Sequence, residues 1–210
     1  MPRPALFAAR AGSVLALTLA LAAPAALRAQ AVVGQPAPAF TLTDSNGKAR
    51  SLADFKGKYV VLEWINHTCP FVGKHYGSGN MQALQKAWTA KGVAWLSVNS
   101  SGPGKEGYVD GTQANELTRA KGAAPTAVLL DPAGRVGRAY GARTTPHMFV
   151  IDPGGTVVYA GGIDDKPSTD QSDLASARNF VSAALEEALA GKAVVTASAP
   201  PYGCGVKYAN

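Results

Sequence analysis

Two side chains carry the nucleophilic chemistry available to this chain, the thiols of Cys69 and Cys204. Cys69 follows the apolar run at residues 59–65 and sits in His67-Thr68-Cys69-Pro70-Phe71-Val72. A buried strand that ends in a cysteine, with proline next, predicts a helix capped by Cys69 and started by Pro70, since proline suits the first helical position. Unpaired N–H groups and the positive end of the helix dipole favour an anion there. Thiolate is the nucleophilic form of cysteine, and a helix N-terminus is one of the settings that lower a thiol pKa. The expected chemistry is thiol redox at one reactive sulfur; the bland alternative is a buried, inert cysteine.

Cys204 lies in Pro200-Pro201-Tyr202-Gly203-Cys204-Gly205 and has two open readings. As a resolving cysteine it would attack a sulfenic acid on Cys69 to form a disulfide. As a static bridge, to Cys69 or between chains, it could stabilise by ~4–5 kcal/mol across so long a loop in the chain-entropy model. The surrounding glycines and prolines predict an irregular, mobile tail, which favours the resolving role.

Elements that could position these sulfurs follow from the pattern of apolar residues. Phe40-Thr41-Leu42-Thr43 reads as a short strand, and Asp44-Ser45-Asn46-Gly47 as a hairpin turn. The run at residues 59–65, broken only by Glu63, suits a central strand covered on both faces. Helical spacing of Met81, Leu84 and Trp88 precedes a strand at residues 93–98, a loop at 99–111, a helix at 112–121 and a strand at 126–130. A short helix ends near Tyr140, and residues 146–151 and 156–160 form a hairpin around Asp152-Pro153-Gly154-Gly155. Leu174, Ala177, Val181, Leu185 and Leu189 mark one final amphipathic helix. Strands alternating with helices, then a hairpin and a closing helix, predict an α/β sandwich with a mixed central β-sheet flanked by helices.

The first 31 of the 210 residues read as a secretory signal peptide: Arg3 and Arg10, an Ala/Leu-rich uncharged stretch, then Ala29-Gln30-Ala31 as the cleavage site. The stretch is short for a bilayer span and is interrupted by Pro24; an uncleaved leader would be the only link to a membrane. Residues 32–190 form the expected domain, and residues 191–210 a tail carrying Cys204. Loss of Arg3, Arg10 and Arg28 lowers the net charge from +6 to +3, and no dense basic run remains, so nucleic acid is excluded as a partner class. Two cysteines are too few for a disulfide framework, and an exported chain meets an oxidising compartment. The expected location is the periplasm of a Gram-negative bacterium.

With Cys69 at a strand–helix junction and Thr144-Thr145-Pro146 before a later strand, the chain resembles the thioredoxin superfamily. Within it the chain is similar to the redoxins, the alkyl hydroperoxide reductase and thiol-specific antioxidant group of peroxiredoxin-like proteins. The likeness runs through Phe40-Thr41-Leu42-Thr43-Asp44, Ser51-Leu52-Ala53-Asp54-Phe55-Lys56-Gly57-Lys58, the Cys69 motif and Thr145-Pro146-His147-Met148-Phe149-Val150-Ile151-Asp152, about residues 33–189. It implies a thioredoxin-like (peroxiredoxin-like) sandwich in which Pro146 is a cis-proline facing Cys69 and the backbone at Thr145 pairs with an extended substrate. The Cys-x-x-Cys of thioredoxins is absent, Val72 standing three after Cys69. Asn66 and Leu62 stand where peroxiredoxins have Thr or Ser and Pro, and Arg143 is not assignable to their arginine. A lone Cys-Pro-Phe-Val with the tail Tyr202-Gly203-Cys204-Gly205-Val206-Lys207-Tyr208 resembles one peroxiredoxin-like subgroup.

The resemblance implies an exported thiol oxidoreductase. Cys69 would react with a peroxide or a disulfide, helped by helix-start N–H groups and by Asn66 or Thr68; Cys204 would resolve, and an external thiol reductant would restore both. Thiol–disulfide exchange is the alternative function, and a copper-type metal carrier the third. The fold implied would bring His67, His75 and His147 towards Cys69, where an imidazolium would favour thiolate, a neutral ring could relay protons, or a Cys/His set could bind metal. No cofactor and no resident metal are expected. Trp64 reads as core, and Ser100-Ser101-Gly102-Pro103-Gly104 as a plain connection rather than a phosphate cradle.

Overall fold

A computed structural model describes Met1 and residues 30–210; the expected leader falls almost wholly outside the described residues. The elements in chain order are β1 (Thr41–Asp44), β2 (Ala49–Ser51), β3 (Val60–Trp64), α1 (Pro70–Gly77), α2 (Asn80–Ala90), β4 (Ala94–Asn99) and α3 (Gly111–Ala120). They continue with β5 (Ala127–Leu130), α4 (Arg135–Tyr140), β6 (Thr144–Thr145), β7 (His147–Ile151), β8 (Val157–Gly161), α5 (Phe180–Leu189) and β9 (Cys204–Gly205). Seven strands make one mixed sheet in the order β2-β1-β5-β4-β3-β7-β8. Its centre is parallel, β3 with β4 and β4 with β5, and its flanks are antiparallel.

Every residue of β3 and β4 is buried because both faces of these strands are covered. Val61 faces Val72, Met81, Trp88 and Leu185, a layer formed with α1, α2 and α5. Val60, Leu62 and Trp64 face the opposite layer with Phe40, Leu96, Val136, Tyr140 and Phe149. Burying each large apolar side chain contributes about 1.5–3 kcal/mol, so the strand carrying the chain to Cys69 is among its most firmly held. Trp64 is core, as expected, with its ring against Tyr140 and Phe149 and its Nε1–H donating to Ser100 Oγ.

Glu63, the one acid in this strand, points into the α1/α2 layer. It accepts from Tyr76 Oη, Gln85 Nε2, Trp95 Nε1 and Ser97 Oγ. Burial raises its pKa although these four donors oppose the rise.

Two expectations are corrected. The final helix does not begin at Leu174: residues 171–176 form a short 3-10 turn, Ala177 is extended, and α5 starts after Asn179. The apolar spacing continues through the break, but Arg178 N–H donates to Asp165, Phe180 N–H to Ile163 O, and the Asn179 side chain caps Ser182 N–H. Those partners outweigh local periodicity. The tail, expected to be irregular and mobile, has little regular structure but is pinned: β9 pairs antiparallel with β6, with Thr145 opposite Cys204 and Thr144 opposite Gly205. Its earlier part bonds to β8 through Ala160.

Candidate functional site

Cys69 stands where β3 hands the chain to α1. Its backbone is extended (φ −71°, ψ 124°), and Pro70 opens the helix, as the Cys-Pro pair predicted. The connecting turn is held by Asn66, whose side-chain carbonyl accepts from the N–H and the hydroxyl of Thr68. Asn66 Nδ2 donates to Glu106 O, and the Thr68 hydroxyl also reaches Glu106. Both side chains expected to stabilise charge on a substrate are therefore engaged in building the turn.

Across from Cys69 lies the Thr145–Pro146 peptide, which is cis. The Cys69 thiol donates to Thr145 O at 3.0 Å. Cys204, opposite Thr145, completes the arrangement from above. Burial pushes the Cys69 thiol up. The thiol of Cys204, the Thr145 side chain and the N–H groups of Val72 and Cys204 outweigh burial and hold Cys69 below the ordinary thiol value. Cys204 moves the other way, pushed up to about 11 by burial and by the facing Cys69. The two sulfurs are free and unequal: of the pair, Cys69 gives up its proton more readily and Cys204 holds its own. Cys69 is only 2% exposed, shielded by its own tail.

The three histidines do not converge. His75 takes part in a buried network: Tyr202 Oη donates to Asp164 Oδ1 at 2.5 Å and lies 3.2 Å from His75 Nε2, while Asn80 Nδ2 lies 2.9 Å from His75 Nδ1. These partners fit a neutral ring with its proton on Nε2. His147 Nδ1 accepts from Arg143 N–H, and its ring packs on Phe149. Neither ring nitrogen of His67 has a partner among the described residues. Burial lowers all three to about 4, aided by Lys121 at His67 and by Arg143 at His147. At His75, Asp164 opposes that fall and Lys74 adds to it. Desolvation thus opposes an imidazolium at all three sites. Among the described residues no three His, Cys, Asp or Glu side chains gather as a metal site.

Sequence reasoning missed Asp164, Glu63 and the role of Tyr202. Tyr202 was visible as part of the tail motif. Asp164 carried no local signal, since its partners come from α1 and the tail.

A mixed sheet, a cysteine at the start of the first helix and a cis-proline against its sulfur define a thioredoxin-like fold with a thiol site. Residues 33–160 match the AhpC/TSA family, and the chain belongs to it. It is 29% identical over 126 residues to the thiol-disulfide oxidoreductase ResA of Bacillus thuringiensis subsp. konkukian, covering 60% of this chain and 67% of that one. An uncharacterised conserved protein from Geobacillus kaustophilus superposes with TM-score 0.73 at 26% identity, covering 85% of this chain and 93% of the other. A putative thiol:disulfide interchange protein DsbE from Chlorobium tepidum superposes with TM-score 0.51 at 27% identity, covering 62% and 85%.

Proposed function

We propose that this protein is an exported thiol–disulfide oxidoreductase whose redox couple is Cys69 with Cys204. The observation that carries the reading is the pairing of Cys204 with Thr145, which sets an acidified thiol against a protonated one. The likeness to ResA supports exchange over the peroxide reduction that the sequence favoured. Export rests on the leader-like composition of residues 1–31.

In the reductive direction Cys69 thiolate attacks one sulfur of a substrate disulfide. A Cys69–substrate bond forms, the substrate S–S bond breaks, and the leaving thiolate takes up the proton that Cys204 gives up. Deprotonated Cys204 then attacks Cys69, forming the Cys69–Cys204 disulfide and releasing the second substrate thiolate. An external dithiol restores the pair. Thr145 and Pro146 position the sulfur and the backbone opposite it; Asn66 and Thr68 hold the turn rather than the substrate.

Peroxide reduction is the second reading, favoured by membership of the AhpC/TSA family. There the O–O bond breaks as Cys69 becomes a sulfenic acid, and condensation with the Cys204 thiol releases water. Weighing against it, the side chains of Asn66 and Thr68 are already occupied.

The test is to mix the reduced protein separately with a cysteine-containing peptide disulfide and with dilute hydrogen peroxide, following thiol loss and the mass of Cys69 adducts. Exchange predicts fast peptide reduction, with a mixed disulfide trapped in Cys204→Ala. Rapid peroxide consumption with an inert peptide disulfide would reverse the order of the two readings.

A further inference from the structure

Lys74, His75 and Asp164 are buried beside the tail yet take no part in the exchange steps. Tyr202, two residues before Cys204, brings them together. Asn80 Nδ2 donates to His75 Nδ1, His75 Nε2 to Tyr202 Oη, and Tyr202 Oη to Asp164 Oδ1. The series runs from α2 through α1 and the tail to the segment between β8 and α5. We infer that Asp164 and His75 are positioning residues which, through the Tyr202 phenol, hold Cys204 in register with Cys69 for the resolving step. The inference rests on the exchange reading and deepens its second step, in which the Cys69–Cys204 bond forms as the Cys69–substrate bond breaks.

The slot calls for a hydroxyl that accepts and donates at once, which phenylalanine cannot supply. Burial and the Asp164 carboxylate push the phenol pKa well up, so it remains a donor. Among the described residues Asp164 receives two hydrogen bonds, from Lys166 N–H at 2.9 Å and from the phenol at 2.5 Å, both on Oδ1. Its Oδ2 is buried without a partner, with His75 Nε2 standing 3.9 Å away. A buried carboxylate with one empty oxygen is costly, and capping Lys166 N–H alone does not need one. The platform under it is fixed, because the Asp164 backbone bridges Asn179, the residue that caps α5. Lys74 Nζ donates to Lys166 O at 2.8 Å, so α1 grips the same loop at a second point. Cys69 caps that helix. Tyr202 therefore refers the position of Cys204 to the element that carries Cys69.

The other fastenings of the tail lead elsewhere. Ala199 packs so closely on Gly161 that a Cβ on that glycine would collide with Ala199 O, and a Cβ on Gly203 (φ 136°) would collide with Thr145 O. Beyond the sulfur the tail is a strap of single contacts. Val206 N–H donates to Arg143 O, Lys207 O accepts from Gly102 N–H, and Tyr208 Oη donates to Ala142 O beneath the Arg138 guanidinium. These contacts tie the strap to the sheet and to the loops before β6 and after β4. The ties to α1 run through the Tyr202 side chain: His75 on its hydroxyl, Phe71 edge-on to its ring with 5.9 Å between centroids, and Lys74 Nζ 5.8 Å from the ring centre.

The experiment equilibrates the full chain with glutathione. Protein dithiol and oxidised glutathione on one side exchange with the Cys69–Cys204 disulfide and two reduced glutathiones on the other. Wild type is compared with Tyr202→Phe, which removes one hydroxyl, and with Asp164→Asn, which decides the matter should the phenylalanine variant not fold. Each substitution should lower the equilibrium constant for the intramolecular disulfide at least tenfold, about 1.4 kcal/mol. In stopped-flow mixing with a peptide disulfide, release of the second peptide thiol should slow at least tenfold. The first attack by Cys69, read as adduct formation in a Cys204→Ala background, should not slow. An unchanged equilibrium constant, or equal slowing of both steps as a general loss of structure would give, overturns the inference. Failure of the exchange reading looks different: the wild type itself would then form no Cys69–Cys204 disulfide.

Discussion

Cys69 and Cys204 face each other from unlike surroundings. Cys69 grows out of a buried central strand and caps a helix in the main core layer. Cys204 rides on a two-residue strand whose neighbours are fastened one contact at a time. The same side chain therefore acquires opposite acidity in the two places, and different freedom. A nucleophile gains from a rigid setting that supplies donors to its anion, whereas its partner must move to admit substrate and return to resolve it.

The sharpest way to break this comparison is to remove each sulfur in turn. Cys69→Ser should lower turnover of a peptide disulfide at least a thousandfold. Cys204→Ala should complete one attack and stop as a Cys69–substrate adduct, visible by mass spectrometry. Equal turnover in both variants would mean the two positions are not different in kind.

Next in size is the contrast in support. Glu63→Ala strands the buried donors of Tyr76, Gln85, Trp95 and Ser97. With each unsatisfied group costing about 1–3 kcal/mol, urea unfolding should show a loss of about 3–5 kcal/mol, shared by the whole domain. Tyr208→Phe removes one hydrogen bond at the tail, about 1 kcal/mol, and should raise amide exchange there while the midpoint of global unfolding moves little. A comparable global loss from both would erase the distinction between core and strap.

Acidity gives a finer test. Cys204→Ala deletes the thiol that favours the Cys69 anion, so the pH profile of iodoacetamide labelling at Cys69 should shift upward. An unchanged profile would leave the helix start and Thr145 responsible for the whole effect. In the wild type Cys204 should titrate later than Cys69, near 11.

A separate, pH-dependent test concerns the histidines. Their folded-state pKa values of about 4 lie below the ~6.5 of an unfolded histidine. Between those values the unfolded chain binds more protons than the folded one. The stability contribution is therefore complete above about pH 6.5 and is lost as pH falls towards 4. The melting temperature should decline across that window, less so in His75→Gln. A flat profile would show that these rings are already charged when folded.

The corner around Cys69 was legible because its signals are adjacent in the chain: an apolar run, then Cys-Pro, then a helical segment. Asn66 and Thr68 lie at that corner, yet their hydrogen bonds go to each other and to Glu106, some forty residues away. The break before α5 escaped notice because Leu174, Ala177 and Val181 keep helical spacing while Ile163 and Asp165 claim the intervening backbone. The tail looked loose for a similar reason. Glycines and prolines describe what a segment permits, whereas the seating of Gly203 and Gly161 depends on surfaces the local pattern does not contain.

Periodicity and the Cys-Pro junction were enough to establish an α/β sandwich with one helix-capping sulfur, since strand, cap and helix start are set by neighbours in the chain. Three-dimensional packing assigned the rest: Cys204 opposite Thr145, Tyr202 between Asp164 and His75, and three histidines kept uncharged. Backbone pairing and desolvation couple residues separated by dozens of positions, and their strength depends on which groups are excluded from water together.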